Sequence, residues 1–574
     1  MHWQSYAHYA DLQMGLAGQL GISPVTARVL INRGVKTSNE ALLFLHPNLT
    51  QLHDPFLLAD MDKAVARVME AIGRGERIAI YGDYDTDGVT STALLVKFFG
   101  MIGVETRHYI PHRINEGYGL HRSAVDELHN IGAKLIITVD NGINAVGQVA
   151  HAGRLGMDVI ITDHHEPVGR LPNAAAVVNP KRGDCRFPFK DLAGVGVAFN
   201  LVMAVRQGLR EAGYFKDRKE PRLKELLDIV AIGTIADVVP LVGENRIFVK
   251  FGLEEIKKSS NVGVNALKVA SGLEQHQINA TTIAFRIAPR INAAGRVDDQ
   301  NLGFRLLVTN NPEEAMDIAQ RLNAINSKRQ TIEADIIKEA GRLVGEISSF
   351  ETVLGLVLSK EGWHPGVLGI VAARLAETHK RPVAVIGTSG GVAKGSVRSV
   401  GEYNVVEALS KCSDFMESFG GHRHAAGIKM MHDKVEDFAR RFNEVVTETL
   451  DPRDRIDHMM VDAEVRAEDV TEELIAELEL LEPFGEGNPE PTFCLREMKV
   501  SDSRIVGEKH LKLKFSDNMV VLEGIGFGMA HHEVETEDVL DVAFVPQRDT
   551  WRGAGAVQLK LRDVKSHHGE PVEG

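Results

Sequence analysis

Between residues 75 and 180, short apolar runs alternate with longer amphipathic stretches. The runs fall at 77–81, 104–110, 134–140, 157–163 and 177–179, and the stretches at 89–102, 122–130 and 143–152. Strand-length runs separated by helical spacing predict a parallel sheet with helices on its faces. Upstream, residues 1–60 carry Ala and Leu at helical spacing, with helix starts at Ser23-Pro24 and at the capping-box pattern Thr37-Ser38-Asn39-Glu40, which predicts a small helical region. Downstream, Met316, Ala319, Leu322 and Ile325, then Ile332, Ile336 and Ile337, predict one long helix over 312–345. A second α/β unit follows, with a strand at 353–358, a helix at 366–378 and strands at 382–386 and 391–398. From 453 the texture changes to short alternating segments at 459–465, 493–500, 511–515, 519–527, 539–546 and 556–564, whose even spacing predicts a small barrel. The expected division is 1–60, a helical N-terminal region; 61–310, a first α/β lobe; 311–345, a connecting helix; 346–450, a second lobe; and 451–574, the barrel.

Acids sit at the ends of these predicted strands. Asp83, Asp85 and Asp87 follow the first, Asp140 ends the third before Asn141-Gly142, and Asp163-His164-His165 closes the fourth. Open parallel sheets bind ligands beyond the carboxyl ends of their strands, so these residues can meet in one crevice. In an extended backbone, side chains two apart point the same way, so Asp83, Asp85 and Asp87 are expected to converge on one point. Taken singly, each reads equally as a turn or N-cap residue, and Asp140-Asn141-Gly142 as a turn. Taken together, carboxylates sharing a pocket raise one another's pKa unless cations neutralise them, which makes a divalent metal site the economical reading. Asp237, in the apolar, helical-looking stretch 223–239, is a further acid that is costly to bury unpaired. Carboxylates with imidazole suit Mn²⁺ or Mg²⁺, and one carboxylate can bridge two ions ~3.5–4 Å apart, the usual arrangement for hydrolysing phosphate esters. Asp140 is the expected bridge.

Composition narrows the classes. A chain of 574 residues, 44% hydrophobic and 25% charged, is too long for one core and predicts several domains. No charge-free apolar stretch approaches the roughly 20 residues of a membrane helix, and the first residues lack a basic segment followed by an apolar one, which predicts a cytoplasmic protein. Cys185, Cys412 and Cys494 form no CxxC pair, so neither a disulfide framework nor a thiolate zinc site is indicated. A net charge of −14 argues against coating nucleic acid by bulk attraction. Basic residues still gather locally, at Lys181, Arg182, Arg186 and Lys190; at Arg286, Arg290 and Arg296; and at Lys394, Arg398, His422, Arg423 and His424. Gly420-Gly421-His422 reads as a turn, either a plain loop or one whose glycines let backbone amides approach a phosphate while His422 adds a donor. No G-x-x-x-x-G-K-[ST] or G-x-G-x-x-G run occurs, so motor and dehydrogenase chemistry lack support.

Asp83-Tyr84-Asp85-Thr86-Asp87-Gly88, Val139-Asp140-Asn141-Gly142 and Asp163-His164-His165 resemble the signatures of the DHH phosphoesterase superfamily. More narrowly, the chain is similar to the RecJ family of single-strand-specific 5′ to 3′ exonucleases, through Tyr109-Ile110-Pro111-His112-Arg113, Glu116-Gly117-Tyr118-Gly119 and the stretches 287–296, 363–372 and 420–427. The resemblance runs from about 70 to the C terminus. It implies an α/β fold of two lobes, a DHH domain with a parallel sheet and a DHH-associated domain, joined by the long helix, plus a C-terminal OB-fold β-barrel. It implies Asp83, Asp85, Asp87, Asp140, His164 and Asp237 as ligands of two divalent ions, Mn²⁺ or Mg²⁺. Asp163 and His165 would be catalytic neighbours that orient ligands or contact phosphate, with Asp163 the natural acceptor for a ligating imidazole. With two ions to activate water and steady the leaving oxygen, no separate side-chain base is required.

The resemblance also implies that Arg296, Ser396 and Arg398 hold a 5′ phosphate, a task that suits the paired donors of arginine. Arg113, Arg290, Gly420, Gly421 and His422 complete the expected substrate contacts. The implied activity is degradation of single-stranded DNA to 5′ mononucleotides in recombination and repair. The protein would act as a monomer away from membranes, with a single-stranded-DNA-binding protein and a helicase as partners. A cleft too narrow for a duplex would supply the strand selectivity. In the barrel, Phe484, Phe493, His510 and Trp551 are either base-stacking or core residues. Two other classes stay open: a DHH phosphoesterase for short oligoribonucleotides or small phosphorylated substrates, which the extra barrel disfavours, and a non-catalytic replication scaffold like a eukaryotic relative that lost its acids, which the intact acids disfavour.

Overall fold

The apolar runs of the first lobe form a five-stranded parallel sheet in the order Thr106–Tyr109, Arg77–Tyr81, Ala133–Val139, Asp158–Thr162, Ala176–Val178. In chain order this is 2-1-3-4-5, so the winding reverses between the first and third strands and leaves a crevice beyond their carboxyl ends. Ala79, Tyr81, Ile136 and Ile161 pack with the helices Arg122–Asn130 and Val146–Arg154. Strand alternation turns Ile78, Ile80, Ile137 and Ile160 to the opposite face, where Thr86–Met101 and Gly194–Glu211 lie, and all four are fully buried.

The structure, a computed structural model, describes residues 2–113, 116–258, 260–274, 278–297, 299–347, 350–517, 519–549 and 557–567. The chain divides into two units. The first, residues 54–237 and 251–457, holds the parallel sheet and the second lobe. The long helix runs from Pro312 to Glu346, capped by Asn311, whose side chain accepts from the backbone N–H of Glu313 and Glu314. The second lobe is a five-stranded sheet in the order Ser418–His422, Ala425–Met431, Val392–Arg398, Val383–Ser389, Leu356–Glu361, in which only the last pair is parallel. Gly420, Gly421 and His422 therefore lie on an edge strand rather than in the expected turn, which falls instead at Arg423-His424. Glycine serves strand pairing here, because a Cβ on Gly421 would stand 2.2 Å from the carbonyl oxygen of Ala425.

The second unit comprises residues 1–53, 238–250 and 458–574. Phe493–Val506, His510–Ser516, Val521–Gly526, Val557–Ser566 and Val539–Arg548 close into a five-stranded barrel, the last strand pairing back to the first. The helices Ala10–Leu20, Pro24–Asn32 and Ser38–Leu45 share its core, with Leu16, Leu30 and Phe44 packed among Leu474, Phe493, Phe515 and Phe544. Ser23 caps the second helix and Thr37 with Glu40 forms the capping box of the third, as the sequence predicts. Phe493 is thus a core residue, Phe484 packs against the core's margin, and His510 meets Phe527 edge-on at 5.2 Å. Trp551 lies outside the described residues.

All three cysteines are buried, and burial pushes the thiols of Cys412 and Cys494 up to about 11 and about 12, so both stay protonated and inert. Among the described residues no single helix is long and apolar enough to cross a membrane.

One buried network ties the N-terminal helices to the barrel. Asp462 accepts from Arg33 at 2.8 and 3.1 Å, from Asn32 Nδ2 at 3.0 Å and from the backbone N–H of Thr492 at 3.0 Å. Replacing Asp462 by Ala strands the Arg33 charge in the interior and is expected to cost about 3–5 kcal/mol, read as a lower urea midpoint for the barrel unit.

Candidate metal centre

The strand Arg77–Tyr81 ends two residues before Asp83, and the chain then bends through Tyr84 and Asp85 into the helix Thr86–Met101. That helix starts three residues before the predicted 89, because Asp85 is its N-cap, with Oδ1 accepting from the Gly88 N–H at 3.0 Å. The backbone is therefore not extended across 83–87, and the three carboxylates separate into two groups instead of converging on one point. Asp83 and Asp85 meet Asp140, whereas Asp87 meets His164 and Asp237; within each group the ligand atoms lie within 4.8 Å of one another. Asp140 also joins His164 and His165 in a third such group, and its Oδ1 is 3.1 Å from His164 Nε2. Asp237 closes the set from the C-terminal end of the helix Leu227–Ala236, with Oδ2 3.6 Å from His164 Nδ1.

Backbone groups hold these carboxylates in place. The N-terminus of the helix Gly194–Glu211 points at Asp87, whose two oxygens accept from the N–H groups of Gly194 and Val195 at 2.7 and 2.8 Å. Gly194 also lies flat against Asp140, since a Cβ there would stand 2.7 Å from Asp140 Oδ1. Asp140 itself adopts φ 61°, a left-handed conformation that costs a non-glycine residue of order 1–3 kcal/mol. The turn is held by Thr138 Oγ1 donating to the Asn141 carbonyl and Asn141 Nδ2 donating to the Val139 carbonyl, both at 2.8 Å.

Asp163 is an orienting acceptor, but for a different ring of the histidine pair than the ligating one expected. Its Oδ1 accepts from the N–H groups of His164 and His165 and from His165 Nδ1, at 2.8, 3.1 and 2.8 Å, and its Oδ2 accepts from the Ile143 N–H at 2.9 Å. It orients the His165 ring, not the imidazole of His164. The Tyr118 hydroxyl reaches both His165 Nδ1, at 3.0 Å, and the Asp140 carbonyl, at 3.2 Å.

Electrostatics set this cluster apart from ordinary surface acids. Burial and the surrounding aspartates raise the carboxyls of Asp83, Asp140 and Asp237 well above the usual range, and burial with the charge of Asp85 raises Asp87 to about 7. Burial lowers His164 to about 3, so its ring is neutral and offers a lone pair. Burial opposes the charged forms of both Asp163 and His165, yet their mutual hydrogen bond holds Asp163 below and His165 above its ordinary value. Asp83 Oδ1, Asp140 Oδ1, Asp237 Oδ2 and His164 Nε2 are buried with no hydrogen-bond partner. Orphaned acceptors drawn from three of these groups, rich in oxygen and without thiolate, fit a hard divalent cation such as Mn²⁺ or Mg²⁺.

Arginines border the acids. The Arg113 guanidinium lies 4.6 Å from the ring of Tyr84, the residue between Asp83 and Asp85. Arg296 donates to the Gly366 carbonyl at 2.8 Å, and Arg398 donates to Ser396 Oγ at 2.7 Å. Burial, with the charges of Arg113, Arg329 and Arg398, lowers Arg296 to about 9. Among the described residues no carboxylate pairs with Arg113, Arg296 or Arg398. Arg113, Ser396 and Gly420 line a cavity of about 360 Å³ together with Lys394 and Lys429. Gly421 and His422 are not in its wall. Arg290 also stays apart, donating to Asn323 Oδ1 at 3.0 Å and to the Arg286 carbonyl, so it ties its helix to the long one.

Gly194, Val195, Tyr118 and Asn292, whose Oδ1 accepts from the Thr86 N–H at 2.8 Å, have no role in the sequence reading. A glycine opening an apolar helix and a tyrosine inside a matched motif are the available signals. Neither reveals which carboxylate it touches.

Family models match in order along the chain: "DHH family, N-terminal domain" over 77–234, "DHHA1 domain" over 351–448 and "RecJ OB domain" over 461–563. Sheet, acid cluster and the first two matches define a protein of the DHH class. The "Single-stranded-DNA-specific exonuclease RecJ" of Bacillus subtilis (strain 168) is 38% identical over 570 residues, covering 98% of this chain and 71% of that protein. The protein of the same name from Escherichia coli (strain K12) is 39% identical over 558 residues, covering 95% and 96%. The crystal structure of RecJ in complex with Mn²⁺ from Thermus thermophilus superposes with a TM-score of 0.85 at 32% identity, covering all of this chain and 80% of that one. The chain belongs to the RecJ family.

Two outcomes follow from the cluster. Carboxyls raised by folding make the metal-free protein lose stability as pH rises through their folded values, while cation binding must displace their protons. The increase in Tm caused by Mn²⁺ is therefore expected to be small near about pH 5.5 and to grow toward about pH 8, measured by calorimetric scans with and without the ion. Gly194→Ala pushes against the Asp140 carboxylate and is expected to weaken Mn²⁺ binding about 10–100-fold by titration calorimetry, with the fold retained.

Proposed function

We propose that this chain is a metal-dependent exonuclease that degrades single-stranded DNA from its 5′ end to 5′ mononucleotides in recombination and repair. One observation carries the reading: an acid cluster with orphaned acceptors and a group of arginines without acid partners meet at Tyr84, which sits between two of the acids and beneath Arg113. The names of the relatives support single-stranded DNA as the substrate.

In this reading Asp83, Asp85 and Asp140 would hold one divalent ion, and Asp87, His164 and Asp237 would hold a second beside it. Ions held there supply activation of water and neutralise charge on the leaving oxygen. The chain's own residues do the positioning. Arg113, Arg296 and Arg398, with Ser396, take the terminal 5′ phosphate through paired N–H donors. A phosphate anchor beside the acids sets the first internucleotide bond over them, so the product is a mononucleotide and the direction is 5′ to 3′. His165, oriented by Asp163, contacts a phosphate oxygen. Lys394 and Lys429, in the wall beside Gly420, take later backbone phosphates, contacts that carry no sequence information. We place the protein in the cytoplasm as a monomer, with a single-stranded-DNA-binding protein and a helicase delivering its substrate.

The test uses single strands labelled at either end, with and without a 5′ phosphate, in Mn²⁺. Label at the 5′ end is released first as mononucleotide, Asp140→Ala abolishes release, and Arg398→Ala raises KM for the 5′-phosphorylated strand about tenfold to a hundredfold. Release from the 3′ end first would contradict the direction.

A further inference from the structure

The helix containing Ala288–Val297, the long helix Pro312–Glu346 and the helix Leu368–His379 enclose a second cavity, of about 510 Å³, distinct from that of Ser396 and within the size range of small-molecule sites. Its wall touches the reaction centre at two points. Asn292 lies in the wall and accepts from the N–H of Thr86, the residue between Asp85 and Asp87. Arg296 lies in the wall and donates to the Gly366 carbonyl, and Gly366 lines the Ser396 cavity. The hydrogen bond from Arg296 to Gly366 therefore joins the walls of the two cavities.

The chemistry of the second wall is that of an anion site with a base platform. Arg296, Arg329 and Arg374 supply three guanidinium groups against one buried carboxylate, Glu333, which pairs with Arg329 at 2.6 Å and with Arg374 at 3.1 Å. Positive charge is left over, yet the two arginines paired with Glu333 are already partly neutralised, a balance that suits passing affinity rather than tight retention. Phe285 stands 77% exposed at this wall, on the wide turn Ile283–Ile287 that precedes the helix. An aromatic face so placed accepts any nucleobase by stacking.

We infer that this cavity is the exit subsite for the deoxynucleoside 5′-monophosphate cut from the strand. The inference rests on the proposed nuclease activity. The terminal nucleotide is held by its 5′ phosphate on Arg296, Arg398 and Ser396, while the strand behind it follows Lys394 and Lys429. Once the bond to the next nucleotide is cut, the product still has its phosphate on Arg296, and the way back is occupied by the strand. Moving the phosphate on to Arg329 and Arg374, with the base over Phe285, clears the centre without displacing the strand.

Product inhibition reads the site. With the full chain in Mn²⁺ and oligo(dT) as substrate, dTMP and dAMP inhibit; Arg374→Gln raises both inhibition constants about tenfold while KM for the strand is unchanged. Phe285→Ala raises the constant for dAMP more than that for dTMP, because a purine has the larger stacking face. Both side chains are mostly exposed, so neither change threatens the fold. Calorimetric titration of dAMP into the strand-free, Mn²⁺-loaded protein gives the same comparison without turnover, so a protein lacking nuclease activity would sink the functional reading while the titration still decides this one. Absence of dAMP binding, equal affinities in wild type and both variants, or a KM for the strand that rises in step with the inhibition constant would overturn the exit subsite. The last result would give the cavity to the incoming strand.

Discussion

Mutual repulsion among buried carboxylates at one end of a parallel sheet is the constraint on which the rest of this structure depends. The loop and helix start at 83–87, the turn at Asp140 and the helix end at Asp237 bring their carboxylates into one largely buried space, and burial with repulsion raises those of Asp83, Asp140 and Asp237 well above the usual range. The fold commits its backbone donors to holding this arrangement. A helix N-terminus grips Asp87, Asp85 caps its own helix, and Asp163 accepts four N–H groups so that His165 points correctly. Strain at Asp140 serves the same end, since a relaxed backbone there would aim the carboxylate elsewhere.

The arginines answer the acids in kind. Burial, with the charges of Arg113, Arg329 and Arg398, depresses Arg296, and burial with the charge of Arg113 depresses Arg398. Tyr84 stands where the two groups of charge meet, its ring under Arg113 and its chain neighbours Asp83 and Asp85 in the acid cluster.

Much of this is legible along the chain, and the misses have definite causes. Apolar runs mark the inner strands of the parallel sheet to within a few residues, because those strands are buried on both faces, whereas the edge strand Thr106–Tyr109 is polar and only partly buried. Capping residues mark the helix starts at Pro24, Ser38 and Pro312. The start at Thr86 escapes the pattern because Asp85 reads as part of an extended acid run, although an aspartate three residues ahead of Gly88 is equally an N-cap. Gly420-Gly421-His422 reads as a turn since paired glycines usually are; only the closeness of the neighbouring strand shows why they are needed in a sheet. Arg290 and Arg296 stand on the same helix, and nothing in their spacing tells that one braces the long helix while the other faces the centre.

The sequence by itself determined which residues could serve, namely acids after strands, a histidine pair beside them and arginines in matched motifs, since local pattern sets strand ends and side-chain chemistry does not depend on context. Tertiary structure alone decided how they are shared out: Asp87 with His164 and Asp237 instead of with Asp83, Asp163 for His165 instead of His164, and the N-terminal helices sealed into the barrel core. The physical reason is that charge repulsion, burial and backbone donation act through distances in space, and two aspartates two residues apart carry no record of which way the helix between them turns.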